Sequence, residues 1–174
     1  KPIIMIEGLP MIEHVRRRAL MCSILSEVIV ATCDEEIADV VRTNGGRVIM
    51  TSDGHINGTS RIAEAVKEVD CSHVLLLQGD EPLLLPRHIE ALAQAVNSEP
   101  QVDACNLIGM LETEDELDRH SFVKCAIAAP HQILFCFRRS PNFSDFDTQK
   151  KFVRKMLGII AYRKDFLLKL TGLQ

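Results

Sequence analysis

Residues 73–82 read His-Val-Leu-Leu-Leu-Gln-Gly-Asp-Glu-Pro. A short apolar run without alternation predicts a strand buried on both faces. The glycine and acids that close it predict a polar loop at the strand's carboxyl end. The flanks extend the pattern. Residues 59–69 carry Ile62, Ala65, Val66 and Val69 at helical spacing, and Pro86 opens a helix to about Asn97. Further back, residues 27–32 (EVIVAT) predict a strand and Asp34 caps a helix to about Thr43. Asn44-Gly45-Gly46 ends that helix, and residues 47–50 form another strand. A helix is also expected from Pro10 to about Leu25. This β-α-β-α rhythm predicts an α/β fold with a three-layer, mostly parallel sheet.

The second half breaks the rhythm. Residues 102–110, 122–128 and 132–137 predict strands, with Ala129-Pro130-His131 as a turn. Residues 141–148 form a polar loop, 155–162 a strand, and a helix follows from Asp165. A small β-rich lobe is therefore expected beside the main sheet. The acidic run at 112–118 (ETEDELD) reads as an exposed helix.

Two loops can carry chemistry. In open α/β sheets ligands bind beyond the carboxyl ends of strands. Asp80 thus stands where a Mg²⁺ ligand for a nucleotide phosphate is expected, and Gly79 permits a sharp turn. By itself Gly-Asp reads as a surface turn, and it is the whole pentapeptide after a buried strand, between two Leu runs, that favours the ligand reading. The second loop, residues 50–61 (MTSDGHINGTSR), joins a strand to a helix N-terminus. Free N–H groups there favour an anion or the polar edge of a base. Gly58 allows close approach, Thr59 can cap the helix and Arg61 adds a fixed charge. The same loop also fits a plain N-cap at Asn57 or Thr59 with Arg61 a solvated first-turn residue. His55 has no second ligand at metal spacing and reads as a loop histidine. Arg138 ends an apolar strand and suits a ligand carboxylate.

Composition bounds the function. The 174 residues are 47% hydrophobic and 25% charged, which excludes a disordered chain. A net charge of −4, a single Tyr and no Trp disfavour a nucleic-acid binder. No run is long enough to span a membrane, no signal peptide is expected from the first residues given, and no Gly-x-x-x-x-Gly-Lys-Ser/Thr phosphate loop occurs. The six cysteines include no Cys-x-x-Cys pair and read as small buried hydrophobes in a reducing compartment, hence a cytoplasmic protein. The chain opens on Lys1-Pro2 without Met and stops on a helix-like segment, so it is expected to be part of a longer protein.

Taken in order, these residues resemble the sugar-acid cytidylyltransferases, most of all the branch acting on 3-deoxy-manno-octulosonate (Kdo). Gln78-Gly79-Asp80-Glu81-Pro82 matches that family's most specific signature, and residues 28–32 match its Val-Ile-Val-Ala-Thr. Residues 8–12 are similar to its Gly-Lys-Pro-Met-Ile, and residues 55–61 to its His-x-Ser-Gly-Thr-x-Arg. Lys1-Pro2-Ile3, Phe122-Val123-Lys124, Arg138, Leu157-Gly158 and Tyr162 fall where related segments lie. The resemblance implies a nucleotide-diphospho-sugar-transferase-like fold and transfer of CMP from CTP to a sugar acid, with Mg²⁺, for lipopolysaccharide or capsule synthesis. It implies Lys1 and Asp80 as catalytic residues, with Asp80 also the metal ligand. Thr51, Ser52, Gly58, Thr59, Arg61 and Gln78 would bind CTP. Gln78, Arg138 and Tyr162 would bind the sugar acid. Residues 1–174 would form one domain, incomplete at both ends, with a nucleotide-binding half (1–100) and a sugar-binding and dimerisation half (101–174). Partners would be CTP, a sugar acid and a second copy in a homodimer, with no nucleic acid and no membrane insertion. Cys33, Asn57, Met156 and Ile160 depart from the family's usual Asp, Ser, His and Tyr. The last two leave an amino-Kdo or nonulosonate substrate open, as well as an inactive nucleotide-binding relative.

Overall fold

Glu7 and Gly8, both at positive φ (47° and 77°), form the two-residue turn of a small hairpin. It joins β1 (Met5–Ile6) to β2 (Leu9–Pro10), paired Met5↔Pro10 and Ile6↔Leu9. Two successive positive φ values suit the twist of hairpin strands, and glycine adopts the second without strain. A computed structural model of the chain describes residues 1–129, 131–141 and 144–172. The expectations placed on Pro130, Asn142 and Phe143 lie outside these. The described residues form two compact units, Lys1–Cys105 with Gly158–Gln174, and Asn106–Leu157.

In the first unit α1 (Met11–Leu20) follows the hairpin directly. It is shorter than expected, because Met21 closes the last turn and the segment after Cys22 leaves the helix. Its buried face holds Val15, Ala19 and an ion pair. Glu13, fully buried, accepts both Arg16 Nε at 2.7 Å and Arg16 Nη2 at 2.8 Å. Arg16 also donates to the Asn44 carbonyl at 2.8 Å, tying α1 to the end of the next helix.

β3 (Ile29–Thr32), α2 (Glu35–Thr43) and β4 (Arg47–Met50) form a β-α-β crossover. The strands pair parallel from Ile29↔Arg47 to Thr32↔Met50. Asp34 caps α2 as expected, accepting from Glu36 N at 2.9 Å. α3 (Gly58–Ala65) follows and runs into a single 3₁₀ turn (Val66–Glu68). β5 (His73–Leu76) and α4 (Pro86–Ser98) come next, with Pro86 in the first turn. β6 (Ala104–Gly109) then leads out of this unit.

The first unit is completed from the far end of the chain. The long β9 (Val153–Arg163) returns at Gly158 and pairs antiparallel with β5, from His73↔Arg163 to Leu76↔Ile160. α6 (Lys164–Thr171) packs on α3. Ala63, Val66, Leu76, Tyr162 and Leu167 meet there as one buried cluster. Each large apolar side chain in it contributes roughly 1.5–3 kcal/mol of transfer free energy. Parallel pairing is thus seen in β3–β4, whereas β5 meets a strand arriving from the opposite direction.

In the second unit β7 (Lys124–Ala128) forms a hairpin with β8 (Gln132–Phe137) and pairs antiparallel with the first residues of β9. α5 (Phe146–Gln149) is a short helix capped by Asp145 inside the expected loop. The acidic run is not an exposed helix. Only Glu114–Leu117 form a 3₁₀ turn, with Glu116 and Leu117 buried. Thr113 and Glu116 make a reciprocal capping box, and Glu116 also receives Lys155 Nζ at 2.8 Å. That second set of donors turns the acid inward. Lys124 is fully buried, donating to the Arg119 carbonyl at 2.6 Å with its ammonium 4.9 Å from the Phe122 ring. Burial pushes its pKa down. The cysteines are all free, yet only Cys22 and Cys125 are buried, and Cys33 and Cys136 are exposed. The expectation of mostly buried thiols is corrected, since strand ends and the β8 edge leave side chains in solvent.

Candidate active site

The Gln78–Pro82 loop leaves the carboxyl end of β5, as the apolar run before it predicts. Asp80 accepts Lys1 Nζ at 2.7 Å, so the start of the chain is pinned to this loop. The lysine hydrogen bond holds the Asp80 carboxyl below the usual range, against partial desolvation. Its neighbour Glu81 shifts the other way. Burial raises the Glu81 pKa, and the Asp80 charge adds to the rise. Adjacent carboxylates with opposed shifts are a recurring feature of functional sites.

Gly158 on β9 provides the space for Glu81. A Cβ at Gly158 would stand 2.2 Å from Glu81 Oε1 and 3.2 Å from Gln78 Cγ. Gly58, at the first position of α3, faces the same loop. A Cβ there would lie 3.9 Å from Gln78 Nε2. Thr59 Oγ1 lies 3.5 Å from the Tyr162 hydroxyl. Gly58 therefore faces Gln78, Thr59 meets Tyr162, which is buried in the core cluster, and Asp80 on the Gln78 loop holds Lys1.

The second loop is held differently. Arg61 Nη1 donates to Thr51 Oγ1 at 2.7 Å and to the Ser52 carbonyl at 3.1 Å. Its guanidinium thus fixes the loop from one side. Glu64, one turn further along α3, holds the other. Ser52 N donates to Glu64 Oε1 at 3.0 Å, and His55 Nε2 shares a hydrogen bond with Glu64 Oε2. These contacts, led by the His55 hydrogen bond, lower the Glu64 pKa. Asn57 rather than Thr59 caps α3, accepting from Ser60 N at 2.9 Å. Asn57 has the extended backbone a cap needs, whereas Thr59 already lies within the helix.

Arg138 is not brought to this group by any observed contact. It lies in the second unit and donates to the His120 carbonyl at 2.6 Å. Sequence reasoning missed Glu64, and it named Glu81 and Gly158 only within family-like segments without giving either a role. The Arg61/Glu64 spacing of three on a helix was an available indication that both act on one loop. Nothing local marked Gly158 as the partner of a loop so distant in the chain.

Among the described residues no cluster of three His, Cys, Asp or Glu could enclose a metal ion. Asp80, partly exposed at the loop, fits the other mode, in which Mg²⁺ takes one or two carboxylates and completes its shell with phosphate and water. No helix among the described residues is long and apolar enough to cross a membrane.

The cytidylyltransferase family model matches residues 1–174. The 3-deoxy-manno-octulosonate cytidylyltransferase of Escherichia coli is 36% identical over 167 residues, which cover 96% of this chain and 67% of that protein. An enzyme of the same name, numbered 2, from Actinobacillus pleuropneumoniae is 37% identical, covering 96% of this chain and 70% of the relative. The solved structure of CMP:2-keto-3-deoxy-manno-octonic acid synthetase complexed with CTP superposes with a TM-score of 0.92. Its sequence is 34% identical, and the match covers 100% of this chain and 71% of that one. A 4-diphosphocytidyl-2C-methyl-D-erythritol synthase from Anaerococcus prevotii, 15% identical with a TM-score of 0.65, shares the fold; that match covers 99% of this chain and 70% of that one.

Proposed function

The chain belongs to the cytidylyltransferase family, and from that premise we propose that it transfers CMP from CTP to Kdo with release of pyrophosphate. The observation that carries the reading is the loop of Gln78, Asp80 and Glu81 at the end of β5, faced by Gly58 and pinned by Lys1. In the reaction a sugar hydroxyl loses its proton to solvent as its oxygen bonds to the α-phosphorus of CTP, and the bond from that phosphorus to the oxygen bridging to the β-phosphorus breaks, so that pyrophosphate leaves with that oxygen.

Each residue has a part in this. Thr51, Ser52 and Arg61 with the α3 N-terminus offer donors and acceptors to the cytidine portion. Gln78 is assigned to the junction of nucleotide and sugar, Thr59 to CTP and Tyr162 to the sugar acid. Lys1, whose side chain is 71% exposed, can leave Asp80 for the triphosphate and stabilise negative charge on departing pyrophosphate. Asp80 would then hold Mg²⁺, which supplies charge neutralisation when bound. Arg138 is assigned to the sugar carboxylate. This division places CTP on residues 1–100 and the sugar acid and dimer contact on residues 101–174. The proposed working form is a homodimer. Six thiols and a CTP substrate support a cytoplasmic location.

The test is pyrophosphate release with Mg²⁺ and each of the four nucleoside triphosphates, with Kdo, an amino-Kdo, a nonulosonate or no acceptor. Release with CTP and Kdo alone is expected. Release only with another sugar acid corrects the substrate. CTP binding without release identifies an inactive relative, and no nucleotide binding overturns the reading.

A further inference from the structure

Two of the six cysteines face each other across a strand pairing. In the β7–β8 hairpin the register runs Lys124↔Phe137, Cys125↔Cys136 and Ala126↔Phe135 without a break, and the irregularity comes only after Ala126. Directly opposed residues of an antiparallel pair project from the same face of the sheet. Their Cα atoms lie about 4.5 or about 5.5 Å apart, and both separations fall within the roughly 4.4–6.8 Å that a disulfide spans. Both thiols are free. No other cysteine pair is so placed among the described residues. Cys105 lies on β6, whose partner β9 holds no cysteine, and Cys22, Cys33 and Cys71 lie outside the strands.

The surroundings of the two thiols differ. Cys136 is exposed on β8, the end strand of its sheet. Cys125 is fully buried on β7, which lies between β8 and β9. On its other side Cys125 is opposite Arg154 of β9. Burial pushes the Cys125 thiol up, the neighbouring Cys136 adds to the rise, and the Arg154 charge opposes both. A dissolved oxidant therefore reaches Cys136 and not Cys125, and Cys125 reacts only with a group already inside the fold.

We propose that Cys125 and Cys136 form a reversible dithiol–disulfide site, closed by small disulfides of the glutathione class. In the first step the Cys136 thiolate attacks one sulfur of the small disulfide. That S–S bond breaks, a mixed disulfide forms on Cys136 and one small thiolate leaves. In the second step the Cys125 thiolate attacks Cys136 Sγ, the new S–S bond joins β7 to β8 and the second small thiolate leaves. The two protein thiols are oxidised, the small disulfide is reduced to two thiols, and the protons given up by the protein end on them. In a reducing compartment the site rests as the dithiol found in the structure. Closing it fastens an end strand that has a partner on one edge only among the described residues, and whose Leu134 and Phe135 are exposed. Strands held on one edge are the first to open. The inference rests on register and burial and holds whatever sugar acid is used.

The test is incubation of the protein with oxidised glutathione, then peptide mapping by mass spectrometry without reductant. A linked Cys125–Cys136 peptide pair, lighter by about 2 Da than its two free peptides and separated again by dithiothreitol, is expected. Cys33, also exposed, is expected to stop at the mixed disulfide. In Cys136→Ser, Cys125 is expected to be modified at least about 10-fold more slowly, since its route passes through Cys136. If that variant impairs folding, Cys136→Ala gives the same reading. Amides of β8 are expected to exchange at least about 10-fold more slowly in the bridged protein. A mixed disulfide that persists on Cys136 beside a free Cys125 overturns the proposal. So does a bridge from Cys136 to a second copy, equal modification of Cys125 in Cys136→Ser, or unchanged β8 exchange in the bridged protein. CTP turnover is not part of the readout, so failure here is distinct from failure of the cytidylyltransferase reading.

Discussion

Replacing Gly158 with alanine should separate activity from stability. The added Cβ would stand 2.2 Å from Glu81 Oε1. Ordinary contact begins near about 3.5 Å, so the carboxylate must move by more than about 1 Å. The obstacle is the far end of a flexible side chain, so overpacking should cost only about 1 kcal/mol, the low end of its range. Glycine within a strand already costs roughly 0.5–1 kcal/mol relative to alanine, which offsets that. Net stability should change by less than about 1 kcal/mol, a Tm shift under about 4 °C for a chain of this size. Activity should respond far more. Glu81 adjoins Asp80 and Gln78 Cγ lies 3.2 Å from the same Cβ position, so the loop shifts as a unit. Displacement near 1 Å in a positioning group costs on the order of 100-fold. Steady-state pyrophosphate release, read beside a thermal melt, should show kcat/KM down about 10- to 100-fold with the melt unchanged. Wild-type kcat/KM would refute the role given to Gly158. So would a Tm loss beyond about 8 °C with unchanged activity per folded molecule.

Asp80→Ala should lower kcat by at least about 1000-fold with little change in Tm, because an exposed ion pair contributes about 0–1 kcal/mol; substantial residual turnover would remove Asp80 from the chemistry. Glu13→Ala strands the buried Arg16 and should cost about 3–5 kcal/mol in urea denaturation, and a loss under about 1 kcal/mol would refute the buried-pair account. Glu116→Gln tests a pH dependence. Desolvation raises the Glu116 pKa, but the hydrogen bonds from Lys155, Glu112 and Thr113 outweigh it and leave it lowered from 4.5. A depressed folded pKa means that its stabilisation is present above 4.5 and lost as pH falls through the lower folded value. The variant should therefore be less stable at pH 7, by about 1–3 kcal/mol, and converge with the parent in acid. An equal deficit at pH 7 and pH 3 would refute that sign. Asn57→Ala should cost about 0.5–2 kcal/mol through the lost α3 cap, whereas Thr59→Ala should not show a cap loss.

What could be read from sequence follows from where the determining contacts lie. β4 and β8 fall where their apolar runs predict, and the Asp34 cap and the Pro86 start are local decisions made by one side chain each. The Gln78–Pro82 loop was legible because an acid after a buried strand has few structural uses. The inward turn of Glu116 was not, since its partner Lys155 lies 39 residues away. The Glu13–Arg16 pair was also missed, because charges one turn apart on a helix ordinarily face solvent, and only the Asn44 carbonyl shows that this pair is interior. Gly158 illustrates the same limit, being a strand glycine until the loop it accommodates is known.

The path of β9 has a consequence for how the chain acquires its structure. The second unit is one continuous stretch and its hairpin forms from near neighbours. The first unit must wait. Its strand β5 gains its antiparallel partner only when Arg163 reaches His73 across the whole intervening chain. Closing so long a loop is slow, since its entropy is lost before the contacts form. On a ribosome, Asn106–Leu157 can therefore assemble while the β5 edge stays open until the second half of β9 and α6 have emerged. Refolding should then show two phases. Changes in the β7–β8 hairpin should act on the fast one, and changes in the Leu76–Ile160 pairing region on the slow one.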